Sequence, residues 1–514
     1  MGVGVALIGL DGLPPPVADD WLAGVLGDTY RVGLHSITPP VTAPAWLSMA
    51  TGLNPGKTGV VDFMNPSGGE RRRLTPLTSR SFRGFSVWDY ASAAGYRVCV
   101  NDYPVLYPPY PVNGYMSPGF LAPRWSTYPP GLYSEAVKGA GPHWEHVYFA
   151  AEKRFNDVNS FLDELIRSLA RKIKWSLYML DRRDWGLYVD VVSHTDWLFH
   201  RCWHILDEKH PARRLKEFSR EAGSSEARYL ISHFAGLIES YVKTVKESSE
   251  RGLIVSDHGF GPLLERVNTA RLLEETGLAS LRRARALLSP RGLLSRLAWL
   301  LTPSRYIEDP FRAGMDPFDT IDYEASAVYT LPHDELMMAV YIAERYRRGA
   351  ERRAALRRLR DTVDRVNASK GSDLVVVDSW STYTGPRLAG LPDALILSAS
   401  SSAYFEFKPF SSWLVKPCCP SRRYTGVHRY KGILAAWGPG VPARRSWDTE
   451  ASVTDVAPTL LAMLGLPAPG YMDGSVVRPA AGTAKGVVKG RGLLRLRAAY
   501  ARASARLYMA GGGS

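Results

Sequence analysis

The apolar run Gly252-Leu253-Ile254-Val255 ends in Ser256-Asp257-His258-Gly259, and this ending constrains the fold more than any other feature of the chain. A short apolar run bounded by turn residues reads as a strand buried on both faces, and open α/β sheets keep their ligands where such strands empty into loops. The arrangement recurs. Residues 4–10 end at Asp11, residues 187–192 end just before Asp196 and His200, and His428 shortly precedes the apolar run 432–437. Carboxylates and imidazoles converging from several strand ends are the donor set that holds a pair of divalent cations such as zinc.

Strands are predicted at 4–10, 96–101, 187–192, 252–256, 373–378, 393–397 and 432–437, and helices at 152–181, 225–247, 346–367 and 454–464. Their alternation predicts an α/β fold, a three-layer α/β/α sandwich with a large mixed central sheet. The donor residues are scattered from residue 11 to residue 428 and must meet in space, so residues 1–478 read as one catalytic domain. Two insertions interrupt it. Residues 102–145, rich in Pro, Tyr and Gly, read as loops near the mouth of the site; residues 265–325, with the basic leucine-rich run 281–299, read as a helical cap.

With 45% hydrophobic and 22% charged residues the composition excludes a disordered chain. The net charge of +14 is uneven, because residues 479–514 carry many basic side chains and no acidic one. Two readings stay open for this basic tail: contact with nucleic acid or an anionic membrane surface, or a helix packed on its own protein. Residues 1–10 lack a basic flank and a cleavage site, so no removable signal is expected, and no apolar stretch is long enough for a membrane span. Four cysteines, two of them adjacent, suit reduced thiols and a cytoplasmic location.

The segment Val41-Thr42-Ala43-Pro44-Ala45-Trp46 reads as a turn running into a helix. Pro44 belongs in the first helical turn, which puts Thr42 at a helix N-terminus, where backbone N–H groups favour an oxyanion. Thr42 is either a nucleophile or a simple N-cap, and Thr38 is the nearest rival hydroxyl. Asp196 and His200 stand four apart and share a helix face. His194, His204, Asp207 and His210 crowd the same segment as supporting contacts or alternative ligands.

Taken in order, Asp11, the Thr42-x-Pro44 turn with Thr51-Gly-x-x-Pro55, Asp196-x-x-x-His200, Ser-Asp257-His258-Gly, Gly-x-His428 and the closing Asp455…Asp473-Gly474 resemble the alkaline phosphatase superfamily. The branch they resemble is the type I phosphodiesterase/nucleotide pyrophosphatase branch. The resemblance implies an alkaline phosphatase-like sandwich, one cation on Asp196, His200 and His428, and another on Asp11, Asp257, His258 and the Thr42 oxygen. It also implies attack by Thr42 through a covalent phospho-threonine. The implied cofactors are two divalent ions, zinc first, with manganese or magnesium as alternatives. The implied reaction is hydrolysis of a phosphodiester or pyrophosphate bond in a small phosphorylated substrate such as a nucleotide.

The chain departs from the branch in two places. Ala45 stands where the branch carries an Asn, and Lys57-Thr58-Gly59 follows Pro55 where the branch carries a His-Gly pair. Neither change touches a ligand, but both bear on diester preference and nucleotide recognition, and Lys57 reads as a substitute phosphate contact or a loop lysine. Two alternatives remain: a phosphomutase or phosphotransferase of the same superfamily, and a non-enzymatic basic protein that binds nucleic acid or anionic membrane. A sulfatase is disfavoured, because that branch uses a modified Cys or Ser at the Thr42 position.

Overall fold

The computed structural model describes residues 2–67, 73–123, 126–143, 157–182, 184–282, 317–419, 424–444, 446–483 and 491–509. The first strands are β1 (Val3–Leu10), β2 (Tyr30–His35), the hairpin β3 (Met64–Ser67) and β4 (Arg73–Pro76), β5 (Val98–Tyr103), β6 (Gly114–Pro118), β7 (Leu187–Val192) and β8 (Ser249–Val255). Next come β9 (Gly259–Pro262), β10 (Glu265–Asn268), β11 (Val328–Thr330), β12 (Met338–Ile342), β13 (Leu374–Asp378) and β14 (Ala394–Ser398). The last are β15 (Ala403–Glu406), β16 (Val415–Pro417), β17 (Gly426–Arg429), β18 (Lys431–Trp437) and β19 (Glu450–Ser452).

Eight strands form the central sheet in the order β19-β2-β18-β8-β1-β7-β5-β6. Neighbours pair in parallel except at β18, which runs antiparallel to both β2 and β8. The sheet is buried on both faces because its strands alternate between two cores. Val5 and Leu7 of β1 enter one core, with Leu253 and Val255 of β8 and Leu434 and Ala436 of β18. Ala6, Ile8 and Leu10, with Ile254, Ile433 and Ala435, enter the other. Helices cover both faces. Thr42–Thr51, Val87–Ala94 and Val456–Met463 lie on the first, and Pro15–Trp21, Val158–Asp181 and Ser225–Glu247 on the second. The last helix shows the underlying pattern: Ala227, Ile231, Phe234, Ile238, Tyr241 and Val245 form one buried stripe, and the Ser224 hydroxyl caps its start. The result is the three-layer sandwich with a mixed central sheet.

Several sequence expectations are corrected, relocated or fall outside the described residues. Residues 373–378 and 393–397 are strands, but they pair in a separate four-stranded antiparallel sheet, β11-β12-β14-β13, with its own core under the helix Gly349–Lys370. Residues 102–145 are not all loop: β6 forms one edge of the central sheet, and Gly131–Ala140 is a helix against Val158–Asp181. Most of the expected cap, residues 283–316, lies outside the described residues. Within the expected tail, residues 491–509 form a helix docked on Val87–Ala94, with Leu496, Ala503 and Leu507 in the first core. Arg506 donates to the Arg83 carbonyl and covers the Phe85 ring. The adjacent cysteines 418 and 419 form a vicinal disulfide, so only Cys99 and Cys202 match the reduced-thiol reading. Among the described residues no helix is long and apolar enough to cross a membrane.

Candidate metal centre and nucleophile

Every proposed donor sits at one edge of the central sheet. Asp11 follows β1, Asp196 and His200 lie on the helix His194–Leu206 after β7, and Asp257 and His258 follow β8. His428 reaches the same edge from the opposite chain direction, because it precedes the antiparallel strand β18. Thr42 arrives from the loop after β2 and opens the helix Thr42–Thr51, whose N-cap is Val41. Thr42 is the first helical residue rather than the N-cap, and its Oγ1 lies 3.3 Å from His258 Nε2. Asp11, Thr42, Asp196, Asp257, His258 and His428 are all buried, and His200 is nearly so.

The separations are those of groups awaiting a shared partner. His428 Nε2 lies 3.0 Å from His200 Nε2 and 3.0 Å from Asp196 Oδ1. His258 Nε2 lies 3.4 Å from Asp11 Oδ1 and 3.3 Å from Asp257 Oδ2. Asp196 Oδ1 also approaches His258 Nε2 to 3.9 Å, so this carboxylate stands between the two donor groups rather than wholly in one. Each ring is oriented from behind. His200 Nδ1 donates to the Gly426 carbonyl, His258 Nδ1 to Gly259 and His428 Nδ1 to Pro40. A neutral imidazole donating from Nδ1 presents a bare lone pair at Nε2. Lone pairs therefore face lone pairs and carboxylate oxygens, and Asp11 Oδ1, Asp196 Oδ1 and Asp257 Oδ2 have no hydrogen-bond partner although buried. Such groups are costly unless a cation satisfies them.

The titration of these groups records the same strain. Burial, then repulsion from Asp257 and Asp196, holds the Asp11 pKa well above the carboxylate range. Burial pushes Asp257 up to about 7. Burial also opposes ionisation of Asp196, but His200 and His428 outweigh it and bring the group to about 2. Burial lowers His200 to about 4 and His258 well below the usual imidazole value. His428 moves the other way: burial opposes its protonation, but Asp196 beside it raises the pKa. In the ion-free protein, protons take the place that a cation's charge would fill. The donor set, three carboxylates and three imidazoles with orphaned oxygens, fits two divalent ions.

Several supporting residues were not visible in the sequence. The Trp46 indole N–H donates to Asp11 Oδ2 at 3.2 Å, leaving Oδ1 for the centre, and the ring lies so close to Gly9 that any Cβ there would collide with it. Trp46 lies one helical turn beyond Thr42, so one residue ties the helix Thr42–Thr51 to Asp11. The i, i+4 spacing from Thr42 was the available signal. His204 and His210 meet Thr425, in the segment leading to His428, rather than the cluster. His194 points away to Ser168, and the Asp207 carboxylate accepts from Lys209. Lys57 has its partners within the protein. Its ammonium lies 2.6 Å from Asp473 Oδ1 and donates to the Tyr471 carbonyl at 2.7 Å, which stitches the loop after the nucleophile helix to the closing motif. Thr38, the rival hydroxyl, lies in the loop before the helix; its carbonyl accepts from Tyr383.

The family model described as Type I phosphodiesterase / nucleotide pyrophosphatase matches residues 5–346. No curated protein matches the chain. Among solved structures, murine ectonucleotide pyrophosphatase / phosphodiesterase 5 is similar over 90% of this chain and 96% of its own, at 12% identity and a TM-score of 0.48. The human counterpart is similar over 92% and 97%, at 12% identity and a TM-score of 0.46. An inactive form of the murine protein in complex with AMP is similar over 90% and 96%, at 11% identity and a TM-score of 0.48. The family match stops before His428, so that donor's membership of the cluster rests on geometry alone. With more than half of its length matched, the chain belongs to the type I phosphodiesterase / nucleotide pyrophosphatase family.

Proposed function

We propose that the protein is a two-cation phosphohydrolase that cleaves a phosphodiester or pyrophosphate bond through a phosphoryl group carried transiently on Thr42. One observation supports this reading above all: three imidazole lone pairs and three orphaned carboxylate oxygens converge in a buried pocket beside a hydroxyl at a helix N-terminus. Asp196, His200 and His428 would hold one ion, and Asp11, Asp257, His258 and Thr42 Oγ1 the other, with Asp196 Oδ1 near both. When bound, two divalent ions supply Lewis-acid stabilisation of the charge that develops on the phosphoryl group.

The chain's own groups do the rest. The first-turn N–H groups at Thr42 and Ala43 lie at the helix start, where they would favour the negative charge of a phosphoryl oxygen. Thr42 Oγ1 loses its proton and forms the bond to phosphorus, while the ester or anhydride oxygen leaves with its bonding pair and takes up a proton. Water then adds at the same phosphorus, the bond to Thr42 breaks, and the hydroxyl is restored. Buried walls exclude bulk water until the leaving group has departed. Zinc suits the mixed imidazole and carboxylate donors, and a nucleotide is the first substrate class to test, given the family.

The test is a rapid-quench reaction of zinc-loaded protein with paired chromogenic phosphate mono- and diesters, followed by peptide mapping. A phosphoryl group on Thr42 and faster turnover of the diester are expected. Full activity in Thr42→Ala, or label on Thr38 or Thr51, overturns the covalent step.

A further inference from the structure

The two donor groups are supported in different ways. Asp11, Asp257 and His258 leave β1 and β8, whose backbones are registered directly, Gly9 opposite Val255. The sheet itself fixes their spacing. His200 has no such frame, whereas His428 is held by register opposite Phe260 on β9, just past His258. His200 lies on the helix His194–Leu206, and His428 lies on β17, which pairs only with β9 in a two-stranded ribbon outside the central sheet. Something else must set the 3.0 Å between their Nε2 atoms.

Thr425 occupies that gap. It is fully buried, immediately precedes β17, and ties its N–H, hydroxyl and carbonyl to the His200 helix or the turn after it, the carbonyl accepting from the Leu263 N–H as well. Its N–H donates to the His200 carbonyl at 2.8 Å, and its carbonyl accepts from His210 Nε2 at 2.8 Å. Its hydroxyl oxygen accepts from the His204 N–H at 3.2 Å, and lies 3.1 Å from His204 Nδ1 and 3.3 Å from the Arg201 carbonyl. The adjoining Gly426 carbonyl receives His200 Nδ1. The far side is anchored too. His204 Nε2 lies 3.1 Å from Glu221, which takes both Arg201 guanidinium nitrogens at 2.9 and 2.8 Å.

We propose that Thr425 is a positioning residue for the cation site of Asp196, His200 and His428: its hydroxyl clips β17 to the ligand helix and so sets the distance between two donors. The inference rests on the two-cation reading above. It makes an asymmetric claim, because loss of the hydroxyl should loosen one site and leave the sheet-registered site unchanged.

Thr425→Val keeps the side-chain shape and removes the hydroxyl; Thr425→Ser keeps the hydroxyl. Zinc affinity is read for each of the two binding events by competition with a chromogenic chelator on the full chain, with no substrate present. Loss of a group that orients a metal ligand costs about 10–100-fold in metal affinity, so Thr425→Val should weaken one event by that factor and spare the other. Thr425→Ser should restore both. If Thr425→Val does not fold, His204→Gln, which removes the ring that meets the hydroxyl, should give the same one-site loss. Equal weakening of both events, unchanged binding, or failure of Thr425→Ser to rescue overturns the positioning role. A wild-type chain that binds no zinc removes the two-cation reading first and this inference with it.

Discussion

Two buried clusters of charge flank β7 and are built to opposite rules. In one, Lys172 lies between Asp102 and Asp190, all three without solvent exposure, with its ammonium 2.7 Å from Asp102. His143 approaches Asp102 to 2.8 Å, Asn101 donates to Asp190 at 2.7 Å, and the Tyr241 hydroxyl donates to the second Asp190 oxygen. This cluster is closed: burial opposes ionisation of Asp102, but Lys172 and His143 outweigh it and hold the pKa near about 2. The other cluster begins only a few residues further along the chain, at Asp196. It gathers three carboxylates and three imidazoles and leaves three oxygens orphaned. The fold can satisfy a buried carboxylate internally when a lysine is supplied. At the second cluster it supplies none, and the deficit has the charge and donor chemistry of divalent cations.

The contrast breaks most sharply on removal of one carboxylate from each rule. Asp257→Asn should lower turnover by several orders of magnitude, because two-cation stabilisation acts as a unit. The same substitution should stabilise the ion-free protein against urea above about pH 7, where Asp257 ionises against the cost of its burial. A destabilised ion-free variant would mean that the open cluster is internally compensated after all.

Lys172→Met should do the reverse. It leaves Asp102 and Asp190 facing each other without their cation, which costs about 3–5 kcal/mol of folding stability. Turnover per folded molecule should change little. Unfolding curves at matched activity separate the two effects, and a loss of turnover without a loss of stability would place the lysine in the catalytic machinery.

Trp46→Phe is the next smaller change. It removes the N–H that occupies Asp11 Oδ2 and lets the carboxylate rotate, so cation affinity should fall about 10–100-fold at the site that uses Asp11. Chelator competition on the variant measures it, and unchanged affinity at both sites would show that the indole only packs.

The smallest effect is a pH dependence of opposite sign at two carboxylates, Asp257 and Asp102, while burial raises Asp190 beside Lys172 as it raises Asp257. Asp257 titrates at about 7 in the folded state and near the ordinary carboxylate value when unfolded, so the ion-free protein loses stability as pH rises through that window. Bound cations cancel the loss. The gain in Tm on adding zinc should therefore grow between about pH 5 and pH 8. Asp102, depressed to about 2, contributes stability above its unfolded pKa that is lost only in acid. A zinc-induced Tm gain independent of pH would remove Asp257 from the cation site.

The donors were legible because their chemistry is local. An Asp or His beside an apolar run announces itself: Asp11, Asp257 and His258 end such runs, Asp196 and His200 follow one closely, and His428 shortly precedes one. The sandwich was legible for the same reason, from runs such as 187–192. What the runs do not state is which sheet a strand joins. Residues 373–378 and 393–397 have the composition of core strands, but they pair with each other and with β12. β2, interrupted by Arg31 and Gly33, and β6, set among prolines, carry too weak a local pattern and are held by their neighbours. The contributions of Trp46 and Thr425 were hidden for another reason. Each is a single hydrogen-bonding group whose partner lies far away in sequence, and local pattern carries no information on such pairs.

The antiparallel strand β18 carries a consequence for how the protein is made. It sits between β2 and β8, so a ribosome-bound chain that ends before residue 431 has a sheet in two pieces. His428 emerges just ahead of that strand. The site that contains it therefore comes into being only when the sheet is joined, and ion uptake there marks a chain whose synthesis has passed the last strand that matters.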